Sequence, residues 1–135
     1  MRAAGINWLA VIAAAVAVYA IGFIIYGMLI PDQWWMAAQG VTEAEIGAVA
    51  GERMPFGPLL PLAMAAFTAV LFRMGGVAGA IDGIRWGAVI ALASAIPALW
   101  YGWVYGVGPA EVTLVDSGHL LLGHVAAGAI LGGWR

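Results

Sequence analysis

Cysteine and lysine are absent from this chain, and only two serines and two histidines occur in its 135 residues. Without cysteine there is no disulfide, no thiolate zinc site, no iron–sulfur cluster and no cysteine nucleophile. Without lysine, and with five scattered arginines against seven acidic residues, there is no basic patch to grip nucleic acid or an anionic lipid surface. Charge of either sign is scarce. Charged residues make up 9% of the chain, against roughly 25% in a typical soluble domain. What fills the space is apolar: 64% of residues are hydrophobic and twenty are glycine. Such a chain cannot cover a water-facing surface, so the bilayer is its expected solvent. Its length fits one domain.

The chain repeats itself. Ile6-Asn7-Trp8-Leu9-Ala10-Val11-Ile12-Ala13 returns as Ile84-Arg85-Trp86-Gly87-Ala88-Val89-Ile90-Ala91, identical at six of eight positions. Each copy opens a long apolar run, and the runs close on Tyr26-Gly27 and Tyr105-Gly106. A repeat of this kind sets the architecture before any local detail does. The expected fold is an all-α membrane domain of four transmembrane helices, built as two parallel-repeat hairpins.

The spans expected from hydropathy are residues 7–30, 58–73, 83–105 and 116–134, each compared with the ~20 residues that cross hydrocarbon. The first is too long for a signal-peptide core of about 7–15 residues, and is read as a retained helix. Between spans one and two, Trp34 and Trp35 suit an interface. There, Thr42-Glu43-Ala44-Glu45 has the capping-box form that starts a helix, so a short surface helix is expected from Thr42 to about Ala50. Pro55, Pro58 and Pro61 mark the start of span two. The glycine-rich 74–79 segment reads as a turn, since no strand precedes it and it lacks phosphate-loop spacing. In span three Gly83, Gly87, Ala91 and Ala95 recur every four residues, which lets helix backbones approach closely. Pro97 removes a backbone bond near Ala93, and Gly128 and Gly132 repeat the small-residue pattern in span four.

Counting arginines orients the bundle. With four spans, Arg2, Arg73, Arg85 and Arg135 fall on the side of the termini, and only Arg53 falls opposite. The positive-inside rule then makes both termini cytoplasmic, and the location an inner, cell-type membrane. Both copies of the repeat start on the same side, so the hairpins are expected to be related by an axis along the membrane normal.

Polar side chains deep in the spans are the candidates for function. Tyr19, Thr68, Ser94 and His124 fall at similar depth and form a candidate midplane layer. Ser94 and His124 lie on the small-residue faces of spans three and four, so a hydrogen bond between them is expected. The layer either relays a proton or binds a solute, or is interhelical glue worth about 1 kcal/mol per bond. One histidine without an intramembrane carboxylate favours glue. Asp116 and His119, spaced i, i+3, form a second candidate pair at the outer end of span four, read as an interfacial ion pair or a helix start. A carboxylate metal centre would need a Glu-x-x-His motif on each of two helices, so no metal and no cofactor is expected. Neither serine sits on a nucleophile elbow, so catalysis is not expected.

The opening Ile6-Asn7-Trp8-Leu9-Ala10-Val11, the Tyr26-Gly27 exit and Trp35-Met36 ahead of Val41-Thr42-Glu43-Ala44-Glu45-Ile46 go with two closing segments. These are Leu114-Val115-Asp116-Ser117-Gly118-His119 and Gly128-Ala129-Ile130-Leu131-Gly132-Gly133-Trp134. Together they resemble the small bacterial membrane proteins grouped as domain of unknown function 1761. The resemblance implies four transmembrane helices and supplies no activity. Two functional classes follow. One is a non-catalytic accessory or scaffold subunit in a larger membrane complex. The other is a small homo-oligomeric transporter, or solute- or proton-binding protein, using the midplane layer.

Overall fold

A tight backbone reversal starts the chain in the computed structural model, which describes residues 2–134. Arg2–Ala3 (β1) pairs antiparallel with Ile6–Asn7 (β2), and the turn between them puts Ala4 at φ 53 and Gly5 at φ 72. Two consecutive positive φ angles match the twist of the paired strands. Glycine reaches them freely and alanine does so at a cost. The Arg73 guanidinium holds this turn by donating to the Ala4 carbonyl. Asn7 then caps the first helix, its side-chain oxygen accepting from the Leu9 amide at 3.2 Å.

Seven α-helices follow among the described residues. Helix α1 is Trp8–Ile24, extended by a π-helical turn over Ile25–Leu29 and stopped before Pro31. Two short helices come next, α2 (Asp32–Gln39) and α3 (Glu43–Arg53). A 3₁₀ turn at Met54–Phe56 leads into α4 (Leu59–Met74). Helix α5 (Ala80–Ile90) passes through a π-helical turn at Ala91–Ala95 into α6 (Ile96–Tyr105), and α7 is Ala110–Gly133. Grouped into continuous runs, Trp8–Leu29, Glu43–Met74, Ala80–Tyr105 and Ala110–Gly133 are long and apolar enough to cross a membrane. We refer to them as spans one to four.

The helix expected after Thr42 is α3, and both halves of its capping box form; it runs on through the 3₁₀ turn into α4, so span two starts at Glu43 and not at the expected residue 58. Helix α2 was not expected. Its signals are local: Asp32 in the first turn favours the helix N-terminus, and Gly40 at φ 66 closes the C-terminus as glycine commonly does. Span four begins at Ala110, one and a half turns before the expected Asp116, because Pro109 starts a helix readily. Asp116 therefore sits inside the helix and does not cap it. The irregularity expected from Pro97 appears as the π turn just before it, where the Ile96 amide reaches back to Ala91 O.

Span four is the hub. Against span one it keeps an antiparallel register for its whole length. The Asn7 side-chain amide donates to Trp134 O at 3.2 Å, a Cβ on Gly123 would meet Val18, and one on Gly22 would meet His119. Against α5 the contact is closer still. A Cβ on Gly83 would lie 2.0 Å from Gly128 O, one on Gly87 2.2 Å from His124 O, and one on Gly132 2.5 Å from Gly79 O. Only glycine permits backbone to pack on backbone in this way. Span two packs on α1 and more lightly on α7. The shared interior is built from small residues such as Ala10, Ala14, Ala65 and Ala127, with Val11 and Phe72 as larger members. Large apolar side chains point outward instead, Leu60 at 75% and Phe67 at 71% exposure, which suits contact with lipid rather than water.

Candidate functional site

The buried stripe of α1 runs through Val11, Ala14 and Val18. Carried on at steps of four, it reaches Gly22 and then Tyr26, which lies in the π turn. Such turns often carry function because they re-aim a side chain. Gly22 leaves room for the His119 ring, whose Nε2 would sit 3.0 Å from a Cβ there. One turn further on, the Tyr26 hydroxyl donates to Asp116 Oδ1 at 2.6 Å. Its proton is thereby committed to Asp116, which leaves the phenol oxygen as the acceptor facing His119 Nδ1, 3.5 Å away. That second contact is at the weak limit of a hydrogen bond. The rings confirm the packing: Tyr26 meets His119 edge-on at 5.3 Å and 88°, and meets Trp35 of α2 at 5.2 Å and 68°.

The electrostatics of this cluster are unbalanced. Among the described residues Asp116 forms no salt bridge, the one ion pair being the exposed Arg85–Asp82 contact at the other end of the bundle. His119 Nε2 is buried with no hydrogen-bond partner among the described residues. A half-buried carboxylate in a membrane domain is costly and commonly marks a working site.

Tyr26 also lines a groove of about 990 Å³ between α2 and α3. The apolar wall comes from Trp35, Met36, Ile46, Val49 and Met54, and the polar groups are Asp32, Gln33, Gln39, Glu43, Glu45 and Arg53. Glu45 is already engaged, accepting from the Thr42 amide at 2.8 Å and the Thr42 hydroxyl at 2.7 Å. Asp32 and Glu43 make no ion pair among the described residues. The volume is at the upper end of the ~300–1,000 Å³ of small-molecule pockets.

The midplane residues are arranged differently. Thr68 and His124 are buried, whereas Tyr19 is 51% exposed and Ser94 is exposed on the π turn of span three. No hydrogen bond joins any two of the four among the described residues. His124 Nδ1 lies 2.7 Å from Leu120 O in its own helix; a carbonyl only accepts, so this nitrogen carries the proton. The expected Ser94–His124 bond is not formed, for a geometric reason. The π turn at Ala91–Ala95 adds a residue to the turn and rotates Ser94 off the glycine face that Gly83, Gly87 and Ala91 share. The His124 backbone carbonyl packs on Gly87 of span three, and its imidazole Nδ1 is bonded within its own helix. Ser117, on the same stripe of α7, accepts from Trp100 Nε1 at 3.0 Å and donates to Thr113 O at 2.7 Å.

Asp116 and His119 are thus brought together, but on Tyr26 and Gly22, two residues absent from the sequence-based candidates. Their signal was the continuation of the α1 stripe, and the recurrence of Tyr26-Gly27 as Tyr105-Gly106. No group of three or more His, Asp or Glu residues able to hold a metal occurs among the described residues. A family model described as a protein of unknown function (DUF1761) matches residues 9–132. No curated protein and no solved structure matches the chain.

Proposed function

We propose that this chain, which belongs to the DUF1761 family of proteins of unknown function, is a non-catalytic membrane protein that binds a small solute at one end of its bundle. The carrying observation is that Tyr26, Asp116 and His119, from spans one and four, converge beside the groove between α2 and α3. Among the described residues no hydrogen bond links any two of Tyr19, Thr68, Ser94 and His124, so a conduit through the midplane has less support. The cluster has the features of a binding site, a mostly apolar groove with a few convergent polar groups, and lacks a nucleophile with its base.

The groove end is read as outward-facing. Arg73 and Arg85 lie towards the end that holds Asn7 and Trp134, whereas Arg53 lies at the groove, a bias that agrees with cytoplasmic termini under the positive-inside rule. Arg135, also counted in that rule, lies outside the described residues. Spans one and three both run antiparallel to span four, which supports two parallel hairpins. The reading holds for a protein acting alone, as a homo-oligomer or as an accessory subunit of a larger complex in a cell membrane. Extraction from the native membrane with mass and composition measured together assigns the assembly.

The test is a thermal-shift screen of the purified protein in nanodiscs against soluble cations, anions and neutral solutes. At least one solute is expected to stabilise the wild type, with the shift lost in Trp35→Ala and kept in His124→Leu. Solute or proton flux in proteoliposomes that His124→Leu abolishes would overturn the reading in favour of transport.

A further inference from the structure

We propose that the solute held by the groove is an organic cation with an aromatic or apolar body. The inference rests on the binding reading above and adds the charge and chemical class of the ligand. Two independent observations carry it. The first is the groove itself: of its charged side chains, three are carboxylates and one is a guanidinium, and Asp32 and Glu43 have no ion-pair partner among the described residues. The second lies behind the wall. Asp116 is half-buried, forms no salt bridge among the described residues, and accepts a hydrogen bond from the Tyr26 hydroxyl at 2.6 Å.

A cation is the species both features favour. Asp116 is bonded to Tyr26, a residue that lines the groove, and at its half-buried position its field is screened less than at a free surface. Tyr26 transmits that field well, since its O–H dipole points at the carboxylate and its ring becomes more electron-rich. Trp35 packs edge-on against Tyr26 at 5.2 Å, and both aromatic residues line the groove. Aromatic faces attract cations, more strongly when water is excluded. Met36, Ile46 and Val49 supply the wall for an apolar body. An anion would face three carboxylates in the lining, with Arg53 as its one cationic partner there. A bare metal ion fits poorly, because no three metal-ligating side chains converge among the described residues.

The experiment uses the full chain in phosphatidylcholine nanodiscs, with empty nanodiscs subtracted. Three fluorescent probes of similar size are titrated: ethidium as the cation, fluorescein as the anion and acridone as the neutral planar body. Ethidium is expected to bind saturably at one site per chain, at least tenfold more tightly than either of the others. The double variant Asp32→Asn/Glu43→Gln, changed only at exposed positions, is expected to weaken ethidium at least tenfold and leave acridone unchanged. Trp35→Ala is expected to weaken ethidium and acridone alike. If fluorescein or acridone binds as tightly as ethidium and Trp35→Ala weakens it, the groove is a site but the cation assignment is wrong. If ethidium binds with unchanged affinity in both variants, its site lies elsewhere and the inference fails. If no probe binds saturably, the inference fails, and the binding reading fails with it once the thermal-shift screen is also negative.

Discussion

The Tyr26 hydroxyl and Asp116 Oδ1 lie 2.6 Å apart across ninety residues of sequence, and this one bond fixes the end of span one against span four. It is a charge-assisted bond in a place where neither partner has a second strong one among the described residues. Tyr26→Phe removes the donor and leaves the carboxylate half-buried. The expected cost is about 1.5 kcal/mol, between the ~0.6 average for interhelical bonds in membranes and the ~3 upper value for bonds to charged groups. Asp116→Asn, which still accepts from Tyr26, is expected to cost less. Unfolding by SDS in mixed micelles ranks the two, and an equal or reversed order would contradict the assignment.

Gly83 and Gly128 make the second measurable relationship. A Cβ on either would fall 2.0–2.1 Å from the other's carbonyl oxygen, so Gly83→Ala and Gly128→Ala must push α5 from α7. Overpacking of this kind costs about 1–3 kcal/mol. Gly102→Ala is the control. A Cβ there meets nothing within 4 Å, and alanine in a helix is favoured over glycine by up to about 1 kcal/mol. The same unfolding assay should show the first two falling and the third rising or holding.

Helix α3 depends on its start. Thr42→Ala removes the hydroxyl that accepts from the Glu45 amide at 3.3 Å, and loss of such a cap costs about 1 kcal/mol. Because α3 buries no side chain, the loss should stay local. Hydrogen exchange is expected to quicken across residues 43–53 and to stay unchanged in α7.

At the opposite end, Arg73→Ala removes the donor to Ala4 O and frees the strained turn at Ala4 and Gly5. Limited proteolysis should then cut before Trp8 more readily than in the wild type. Thermal stability should change little, since the four spans keep their contacts.

These relationships were unequally legible in the sequence. Gly83, Gly87, Gly128 and Gly132 announced the α5–α7 contact because a four-residue spacing of small residues has one geometric meaning on a helix. The capping box at Thr42 and Glu45 was equally local. Position along a span does not give direction around the helix. Tyr19 and Ser94 lie deep in their spans but face outward, and for Ser94 the π turn rotated the face after Ala91. The pair Asp116–His119 was visible as an i, i+3 spacing, but its partner was not, because nothing local in Tyr26 points to a residue ninety positions away. Following the buried stripe of α1 two turns past Val18 would have reached Gly22 and then Tyr26. Helix α2 was hidden in a polar interval whose tryptophans read as interfacial whether or not they are helical.

The absence of native cysteine makes one measurement especially direct: labelling of single introduced cysteines in intact cells with a membrane-impermeant maleimide. If the protein binds its solute at an outward groove and has no water path through its midplane, Glu43→Cys labels in intact cells, Arg85→Cys labels only after permeabilisation, and Thr68→Cys labels in neither case. Labelling of Thr68→Cys in intact cells would reveal a path to the midplane and contradict the account.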